Sequence, residues 1–218
     1  MLKKYNVILT DPPWHYRNRG NGHAGNHYPM MKTEEICRLR VRDLAADNCI
    51  LAMWATWPCM RDAFQVIDAW GFTYVTGFPW IKITKPLRVD FFGDIRNTPT
   101  YGTGHWVRGA TEAILISTLG DVSPPAGAGN TLGLISERLE HSRKPDSIYD
   151  YLEKFEGPYL EMFARRLRYG WDQWGDQAPE AVEIDLGAEK ESKADRGEFV
   201  QVSAARDIVY EVDNAVFS

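Results

Sequence analysis

The chain has 218 residues, 44% hydrophobic and 25% charged, a composition typical of a soluble globular protein with a substantial core. No apolar run approaches the roughly 20 residues that span a bilayer, and the first residues lead straight into a strand pattern, so we predict neither a membrane span nor a signal peptide. Cys37, Cys49 and Cys59 form no CxxC pair. We therefore expect no disulfide framework and no metal site, and a reducing cytoplasmic location.

The net charge of −5 is unevenly distributed. Residues 179–218 carry a net charge of −6, and the remainder carries +1. This difference predicts a main domain at 1–178 and an acidic C-terminal extension at 179–218. Two basic clusters could form a positive rim, although each alone would be ordinary solvated surface: Arg138, Arg143 and Lys144, and Arg165, Arg166 and Arg168.

Apolar runs bounded by turn residues predict strands that alternate with helices. The expected strands are Tyr5–Thr10, Cys49–Trp54, Phe72–Ile83 with a break near Pro79, Ala113–Thr118, Leu132–Ser136 and Tyr159–Phe163. Helices are expected from a Thr33 cap, from Pro58 to Trp70 and from Pro145 to Phe155, with long loops at 15–29 and 84–106 and a closing turn at 171–177. This alternation predicts an α/β sheet covered on both faces, with ligands beyond the carboxyl ends of the strands.

The four residues after the first strand, Asp11, Pro12, Pro13 and Trp14, carry the strongest chemical signal. The carboxylate and a proline carbonyl can accept hydrogen bonds from an exocyclic amino group, the prolines fix the backbone, and the indole offers a stacking face. This combination predicts a site for a flat, amine-bearing base. The one GxGxxG pattern, Gly20–Gly25, lies within the polar loop at 15–29 and not between a strand and a helix, and the chain has no GxxxxGK[ST] motif. Both observations argue against a typical dinucleotide enzyme or P-loop NTPase.

The Asp11–Trp14 motif is followed along the chain by further short sequence blocks in a fixed order. Through this ordered set, residues 5–177 resemble the DPPW-motif family of adenine-N6 methyltransferases (METTL type, MT-A-seventy-like), in particular its compact bacterial and phage members. The blocks that carry the resemblance are 9–14, 27–30, 33–36, 51–54, 69–72, 80–82, 104–106, Glu112, 141–145, 161–165 and 170–175. The resemblance implies a Rossmann-like fold that uses S-adenosylmethionine (AdoMet). It also implies a permuted order, in which the catalytic strand precedes the cofactor strand.

The resemblance also implies roles for individual residues. Asp11, Pro12, Pro13 and Trp14 would be catalytic, holding and stacking the target adenine. The implied cofactor-binding residues are Asp11, Lys144, Glu161, Phe163, Arg165, Arg168, Asp176 and Gln177. The implied substrate-binding residues are Tyr28, Trp54, Trp80, Lys82, His105 and Glu112. Taken singly, the tryptophans could instead be core residues, and Lys144 or Arg165 could be surface residues. The chain departs from the family at Asp176, where relatives often carry Asn.

Four functions follow as hypotheses. We favour methylation of adenine in DNA, because the chain is short and carries no appended RNA-binding domain. The alternatives are an RNA adenine-N6 methyltransferase, a catalytically silent nucleic-acid-binding subunit and a small-molecule amine methyltransferase. The intact 11–14 motif disfavours the silent subunit, and the long loops disfavour the small-molecule enzyme. A homodimer or heterodimer is possible, and the acidic extension could compete with nucleic acid for the basic rim.

Overall fold

The structure is a computed structural model that describes residues 3–15, 30–91, 93–100, 106–127, 131–138, 143–175, 182 and 186, together with the backbone of 208–211. The strands are β1 (Tyr5–Thr10), β2 (Ala45–Ala55), β3 (Thr73–Ile83), β4 (Thr111–Leu119), β5 (Thr131–Glu137), β6 (Tyr159–Met162), β7 (Trp171–Trp174) and β8 (Ile208–Glu211). The α-helices are α1 (Thr33–Cys37), α2 (Met60–Ala69) and α3 (Ser147–Leu152), and 3₁₀ turns lie at Val41–Asp43 and Trp57–Cys59.

The strands of the described residues form one mixed sheet in the order β7-β6-β1-β2-β4-β3-β5-β8. Strands β7, β6, β1 and β2 run parallel, β4 runs antiparallel between β2 and β3, and β5 is parallel to β3. Because β4 runs against its neighbours, its first residues lie at the same edge as the carboxyl ends of β2 and β3. This edge collects the residues of the candidate site.

Side chains alternate between the two faces of the sheet, as the two-residue period of a strand requires. In β2, Leu51 and Met53 join the cluster under α1 and α2, with Ile36 and Ile67. Ile50, Ala52 and Trp54 join the opposite cluster, which contains Ile148 and Leu152 of α3. The predicted α/β sheet covered on both faces is therefore confirmed.

Strand β1 lies at the point where the chain changes direction across the sheet. The chain leaves β1 towards β2, and it returns from β5 through α3 to β6 on the other side of β1. Parallel sheets place ligands in the crevice at such a switch point. Residues that follow β1 and β6 therefore meet at the favoured position, and the permuted order of motifs stays a prediction.

Three local expectations were wrong. Strand β3 runs unbroken through Pro79, because its pairing with β5 begins only at the next residue, Trp80. The β5 residue that lies against Pro79 is Gly133, and a Cβ at this position would come within 2.8 Å of the Pro79 carbonyl oxygen. The expected closing turn contains β7, which pairs with β6. Thr33 is the first helical residue of α1, and Lys32 is the cap, whose backbone N–H donates to Glu35 Oε2 at 2.7 Å.

Part of the predicted acidic extension packs on the main domain. The backbone N–H of Val182 donates to the carbonyl of Gln173 in β7 at 2.7 Å, and the N–H of Arg40 donates to the carbonyl of Leu186 at 3.2 Å. Leu186 is 2% exposed within the cluster under α1 and α2. At the other edge of the sheet, β8 pairs with β5. The boundary at residue 178 stays a prediction.

Candidate active site

The Asp11–Trp14 motif begins directly after β1 and is fixed by backbone hydrogen bonds. The N–H of Trp14 donates to the carbonyl of Pro12 at 2.8 Å, and the N–H of Met31 donates to the carbonyl of Pro13 at 2.9 Å. The two prolines restrict φ, so little conformational freedom remains in this turn. One lone pair of the Pro12 carbonyl is in use, and a second is available to another donor.

Four charged side chains form a chain of ion pairs at the carboxyl edge of the sheet. Lys144 Nζ lies 3.0 Å from Asp11 Oδ1 and 3.0 Å from Glu112 Oε2. Glu112 Oε1 lies 2.5 Å from Lys82 Nζ. These side chains are only 14–22% exposed, so their attraction is screened less than that of surface pairs. The arrangement places a carboxylate and an ammonium side by side where β1 ends.

The ion pairs set the protonation of this network. Burial alone would raise the pKa of Glu112, but the charges of Lys144 and Lys82 outweigh it and lower the pKa. Burial alone would lower the pKa of Lys144, but the carboxylates of Asp11 and Glu112 outweigh it and raise the pKa. Both effects favour the charged forms. Glu112 and Lys144 are therefore both held in their charged forms.

Three predicted site tryptophans are buried, and two of them, Trp54 and Trp80, lie beside this network. Trp14, Trp54 and Trp80 are 5%, 1% and 3% exposed. The indole N–H of Trp14 donates to the carbonyl of Trp54 at 3.1 Å, and that of Trp80 donates to Ser136 Oγ at 2.8 Å. The rings of Trp54 and Trp80 pack edge to face with centroids 5.7 Å apart. Trp54 and Trp80 form an aromatic floor beneath the two lysines, whereas Trp14 packs in the cluster under α1 and α2. A contact of any of these rings with a base stays a prediction.

Both lysines of the network lie over this aromatic floor. Lys144 Nζ is 5.3 Å from the ring centroid of Trp54, and Lys82 Nζ is 4.5 Å from that of Trp80. Cation–π attraction at these distances adds to the ion pairs and favours one orientation of each ammonium group. The floor therefore positions the cations that face Asp11 and Glu112.

A partly buried carboxyl group lies on β6, the strand next to β1. Tyr149 of α3 donates its hydroxyl to Glu161 Oε2 at 2.8 Å. Burial raises the pKa of Glu161 to about 7, and the charges of Asp11 and Asp146 act in the same direction, against the Tyr149 hydrogen bond and the charge of Arg166. Glu161 is thus poised between its two protonation states near neutral pH.

The backbone after β6 has an uncommon conformation for a residue with a side chain. Phe163 has a φ of 59°, a region that residues other than Gly, Asn and Asp seldom adopt. Gly175 lies against it, since a Cβ on Gly175 would be 2.9 Å from the Ala164 nitrogen and 3.0 Å from Phe163 Cα. The Phe163 ring packs edge to face on Trp174, with centroids 5.3 Å apart. The ends of β6 and β7 are therefore locked together.

The arginines after β6 are anchored by acids on and near α3. Arg166 pairs with Asp146 at 2.7 Å. Arg168 pairs with Glu153 at 2.8 Å and lies 4.5 Å from the ring centroid of Tyr149. These contacts tie the segment after β6 to the helix that follows Lys144.

The structure brings some of the predicted site residues together and leaves others apart. Asp11, Lys144, Glu112 and Lys82 share one network, although the resemblance divided them between cofactor and substrate roles. Glu161 and Phe163 lie at the neighbouring strand end, whereas Arg168 is engaged by Glu153. The predictions at Tyr28, His105, Asp176 and Gln177 lie outside the described residues.

Sequence reasoning missed Tyr149, Asp146 and Ser136. Tyr149 could have been found from the helix after Pro145, because its position five residues beyond Lys144 brings it close to the same strand ends. The partners Asp146 and Ser136 have no sequence signal of their own. Among the described residues, no helix is long and apolar enough to cross a membrane, and no group of three or more His, Cys, Asp or Glu side chains could hold a metal ion.

The mixed α/β sheet carries its charged site beyond β1, at the switch point where such sheets bind their ligands. A sequence profile of the MT-A70 family matches residues 5–177. The chain therefore belongs to the MT-A70 family, a family of AdoMet-dependent methyltransferases.

Individual relatives are about 30% identical to this chain over the aligned residues. The type II methyltransferase M.MunI of a Mycoplasma species is 31% identical, over 86% of this chain and 84% of its own length. A Medicago truncatula protein named as a putative N(6)-adenosine-methyltransferase MT-A70-like is 30% identical, over 89% of this chain and 30% of its own length. The human N(6)-adenine-specific methyltransferase METTL4 is 28% identical, over 84% and 39% respectively. The chain thus spans most of the bacterial relative and less than half of the two eukaryotic ones.

Proposed function

We propose that this protein transfers a methyl group from AdoMet to the N6 amine of adenine in nucleic acid, with DNA as the favoured polymer. The observation that carries the proposal is the Asp11–Lys144 pair, 3.0 Å between Oδ1 and Nζ, directly after β1. Membership of the MT-A70 family supports the reaction class. The similarity to M.MunI over 84% of that bacterial enzyme supports DNA over RNA.

The charges of the site fit the methionine part of AdoMet, which carries one ammonium and one carboxylate. Asp11 is the anion that would hold the ammonium, and Lys144 is the cation that would hold the carboxylate. Both are only 17–20% exposed, so ion pairs formed there would be stronger than on an open surface. AdoMet, when bound, supplies a methyl group already activated by its sulfonium.

The remaining chemistry belongs to Asp11 and Pro12. The lone pair of an adenine amine is delocalised into the ring, which makes the nitrogen a poor nucleophile. Hydrogen bonds from the two N–H groups to the Asp11 carboxylate and the Pro12 carbonyl would draw the nitrogen towards a tetrahedral shape and localise its lone pair. As the N–C bond forms and the methyl–sulfur bond breaks, the anionic Asp11 would stabilise the positive charge on N6 until its proton leaves.

Lys144 would have a second role, because it determines which oxygen of Asp11 can accept a hydrogen bond from the adenine amine. Lys144 engages Oδ1 of Asp11 and leaves Oδ2 for the amine. The buried tryptophan floor excludes water on one side of the reacting atoms. The same groups would therefore hold the base, hold the methyl donor and keep the two in line.

The test is identification of the product. The full-length chain is incubated with isotopically labelled AdoMet and with matched single-stranded DNA, duplex DNA and RNA of random sequence, and the nucleosides are then identified by mass spectrometry. We expect labelled N6-methyladenine, with more from DNA than from RNA. Label in another nucleoside, or AdoMet binding without any product, would contradict the proposal. More product from RNA would support the RNA enzyme, the second candidate, which several eukaryotic relatives named as adenosine methyltransferases favour.

A further inference from the structure

Trp57 lies at the edge of the sheet that carries the candidate active site. It comes two residues after the end of β2 and begins the 3₁₀ turn that follows this strand. Strand β2 runs parallel to β1, and Met53 of β2 is the register partner of Thr10 at the end of β1. The segment after β2 therefore lies beside the Asp11–Trp14 motif, which follows β1.

A hydrogen bond joins this motif to the segment that leads to Trp57. The indole N–H of Trp14 donates to the carbonyl of Trp54 at 3.1 Å. Trp57 is three residues further along the chain, and three residues span at most roughly 11 Å. The backbone of Trp57 therefore lies within roughly 11 Å of the residue that the motif contacts.

A second hydrogen bond fixes the ring of Trp57. Its indole N–H donates to Thr111 Oγ1 at 2.8 Å. Thr111 is the first residue of β4 and directly precedes Glu112, which belongs to the ion-pair network. The next residue, Pro58, restricts the backbone on the other side. The ring is thus held in place both by its own N–H group and by the turn that carries it.

Trp57 and the ion-pair network lie on opposite sides of the sheet edge. In β4, Ala113 belongs to the cluster under α1 and α2, whereas Ile114 belongs to the cluster that contains α3. Because side chains alternate along a strand, Thr111 points to the side of α1 and α2, and Glu112 points to the side of α3. The Trp57 ring, bonded to Thr111, therefore lies across the edge from the network.

The ring of Trp57 is open to solvent, unlike the predicted site tryptophans. Trp57 is 52% exposed, whereas Trp14, Trp54 and Trp80 are at most 5% exposed. Since the indole N–H already has an acceptor within the chain, the exposed part of the side chain is mainly apolar ring surface. Such a surface gains stabilisation when a flat, apolar face covers it. Trp57 therefore offers the stacking face that the buried ring of Trp14 does not.

We propose that Trp57 stacks on a nucleobase that neighbours the target adenine in the substrate strand. This inference rests on the proposed function, which puts the adenine amine at Asp11 and the methionine part of AdoMet at Asp11 and Lys144. The side of the edge away from Lys144 is then left for the rest of the strand, and Trp57 lies there. Stacking on an aromatic ring accepts every base, so Trp57 contributes affinity with little sequence preference.

The test separates contacts with bases from contacts with phosphates. Fluorescence anisotropy measures the binding of a random-sequence single-stranded DNA and of an abasic strand of the same length, each over a range of salt concentrations. Trp57→Ala removes the ring, and Trp57→Phe keeps a smaller one. Tyr169→Ala is the matched control, because Tyr169 is a fully exposed aromatic residue just before the amino end of β7, at the opposite edge of the sheet.

We expect Trp57→Ala to lower the affinity for the DNA strand about tenfold and to leave the affinity for the abasic strand unchanged. The dependence of binding on salt should stay the same, because the ring contacts no phosphate. Trp57→Phe should retain most of the affinity, and Tyr169→Ala should match the wild type. AdoMet binding, measured by calorimetry, should be the same in all four proteins. Thermal unfolding and sedimentation check the folding and the oligomeric state of each variant.

Three results would overturn the stacking contact: a wild type that does not prefer the strand with bases, an undiminished affinity of Trp57→Ala for that strand, and equal losses on the two strands. A parallel loss of AdoMet binding would overturn it in favour of a cofactor contact. A change in sedimentation with unchanged DNA binding would overturn it in favour of a protein contact. If the wild type makes no N6-methyladenine but prefers the strand with bases through Trp57, the proposed function fails and the stacking contact stands.

Discussion

Lys144 and Asp11 form an ion pair of 3.0 Å between Nζ and Oδ1, and the same ammonium lies 3.0 Å from Glu112 Oε2. Lys144 follows β5 in sequence, Asp11 follows β1, and Glu112 lies at the start of β4. By contacting both acids, Lys144 therefore joins three parts of the chain at the carboxyl edge of the sheet. It also holds the carboxyl group of Asp11 in the position where the proposed reaction needs an acceptor.

Replacement of Lys144 by Gln should destabilise the protein and reduce methyl transfer. Without the ammonium, Asp11 and Glu112 face each other as partly buried carboxylates, and loss of one partner of such a pair typically costs about 3 kcal/mol of unfolding free energy. Urea unfolding at pH 7 measures this loss. Lys3→Gln is the matched control, because Lys3 pairs with Asp172 but is 57% exposed, and exposed pairs contribute about 1 kcal/mol or less. Equal losses in the two variants would contradict this account of the network.

Glu161 should make the stability fall as the pH rises from about 4.5 to about 7. Its pKa is raised from 4.5 to about 7 in the folded chain, so in this interval the folded state binds more protons than the unfolded state, and the unfolding free energy decreases with pH. The decrease from this group should reach about 3 kcal/mol and level off above pH 7. Urea unfolding between pH 5 and pH 8 should show the component in the wild type and not in Glu161→Gln. Identical slopes in both proteins would show that Glu161 has an ordinary pKa.

Gly175→Ala should disturb the end of β6. The added Cβ would meet the Ala164 nitrogen at 2.9 Å and Phe163 Cα at 3.0 Å, so one of the two segments must move. We expect a loss of about 1–3 kcal/mol in unfolding free energy and weaker AdoMet binding, measured by calorimetry. Gly127→Ala is a useful control, because it also has a positive φ, 82°, but an added Cβ there has no atom within 4 Å. Undiminished AdoMet binding by Gly175→Ala would separate this backbone contact from the proposed cofactor site.

Leu186→Ala should cost about 2–5 kcal/mol of unfolding free energy, because this side chain is 2% exposed in the core and its truncation leaves a cavity. Leu132→Ala is the control, since Leu132 is 55% exposed and surface substitutions usually change stability by about 0.5 kcal/mol or less. Chemical denaturation of both variants gives the comparison. Similar small effects would show that the segment around residue 186 is not part of the folded core in solution.

The elements with strong local patterns could be predicted from the sequence. Strand β1 begins and ends at the predicted residues, because Val7, Ile8 and Leu9 form a buried run that stops at the Asp11–Pro12 turn. The two-faced sheet followed from the same alternation of apolar strands and helices. By contrast, the continuity of β3 through Pro79 depends on Gly133 of another strand, and such a tertiary contact has no local signal.

The residues of the candidate site could be predicted from the sequence, but the arrangement of their side chains in space could not. The spacing of Asp11, Lys82, Glu112 and Lys144 along the chain contains no sign that they form one alternating row of charges. That row exists because antiparallel β4 lies between β2 and β3 and brings its first residues to the edge where the parallel strands end. The burial of Trp14 in the cluster under α1 and α2 could not be predicted either, since a tryptophan that stacks on a ligand and one that packs in the core look the same in a sequence.

The most direct test of the account is the amount of N6-methyladenine formed in DNA by the wild type, Asp11→Asn and Asp68→Asn. Asp11→Asn keeps the shape of the side chain but removes the charge, whereas Asp68 is an exposed acid on α2 and controls for the loss of one negative charge. We expect wild-type amounts of product from Asp68→Asn and a loss of about a hundredfold or more from Asp11→Asn. Undiminished N6-methyladenine formation by Asp11→Asn would contradict the assignment of the site.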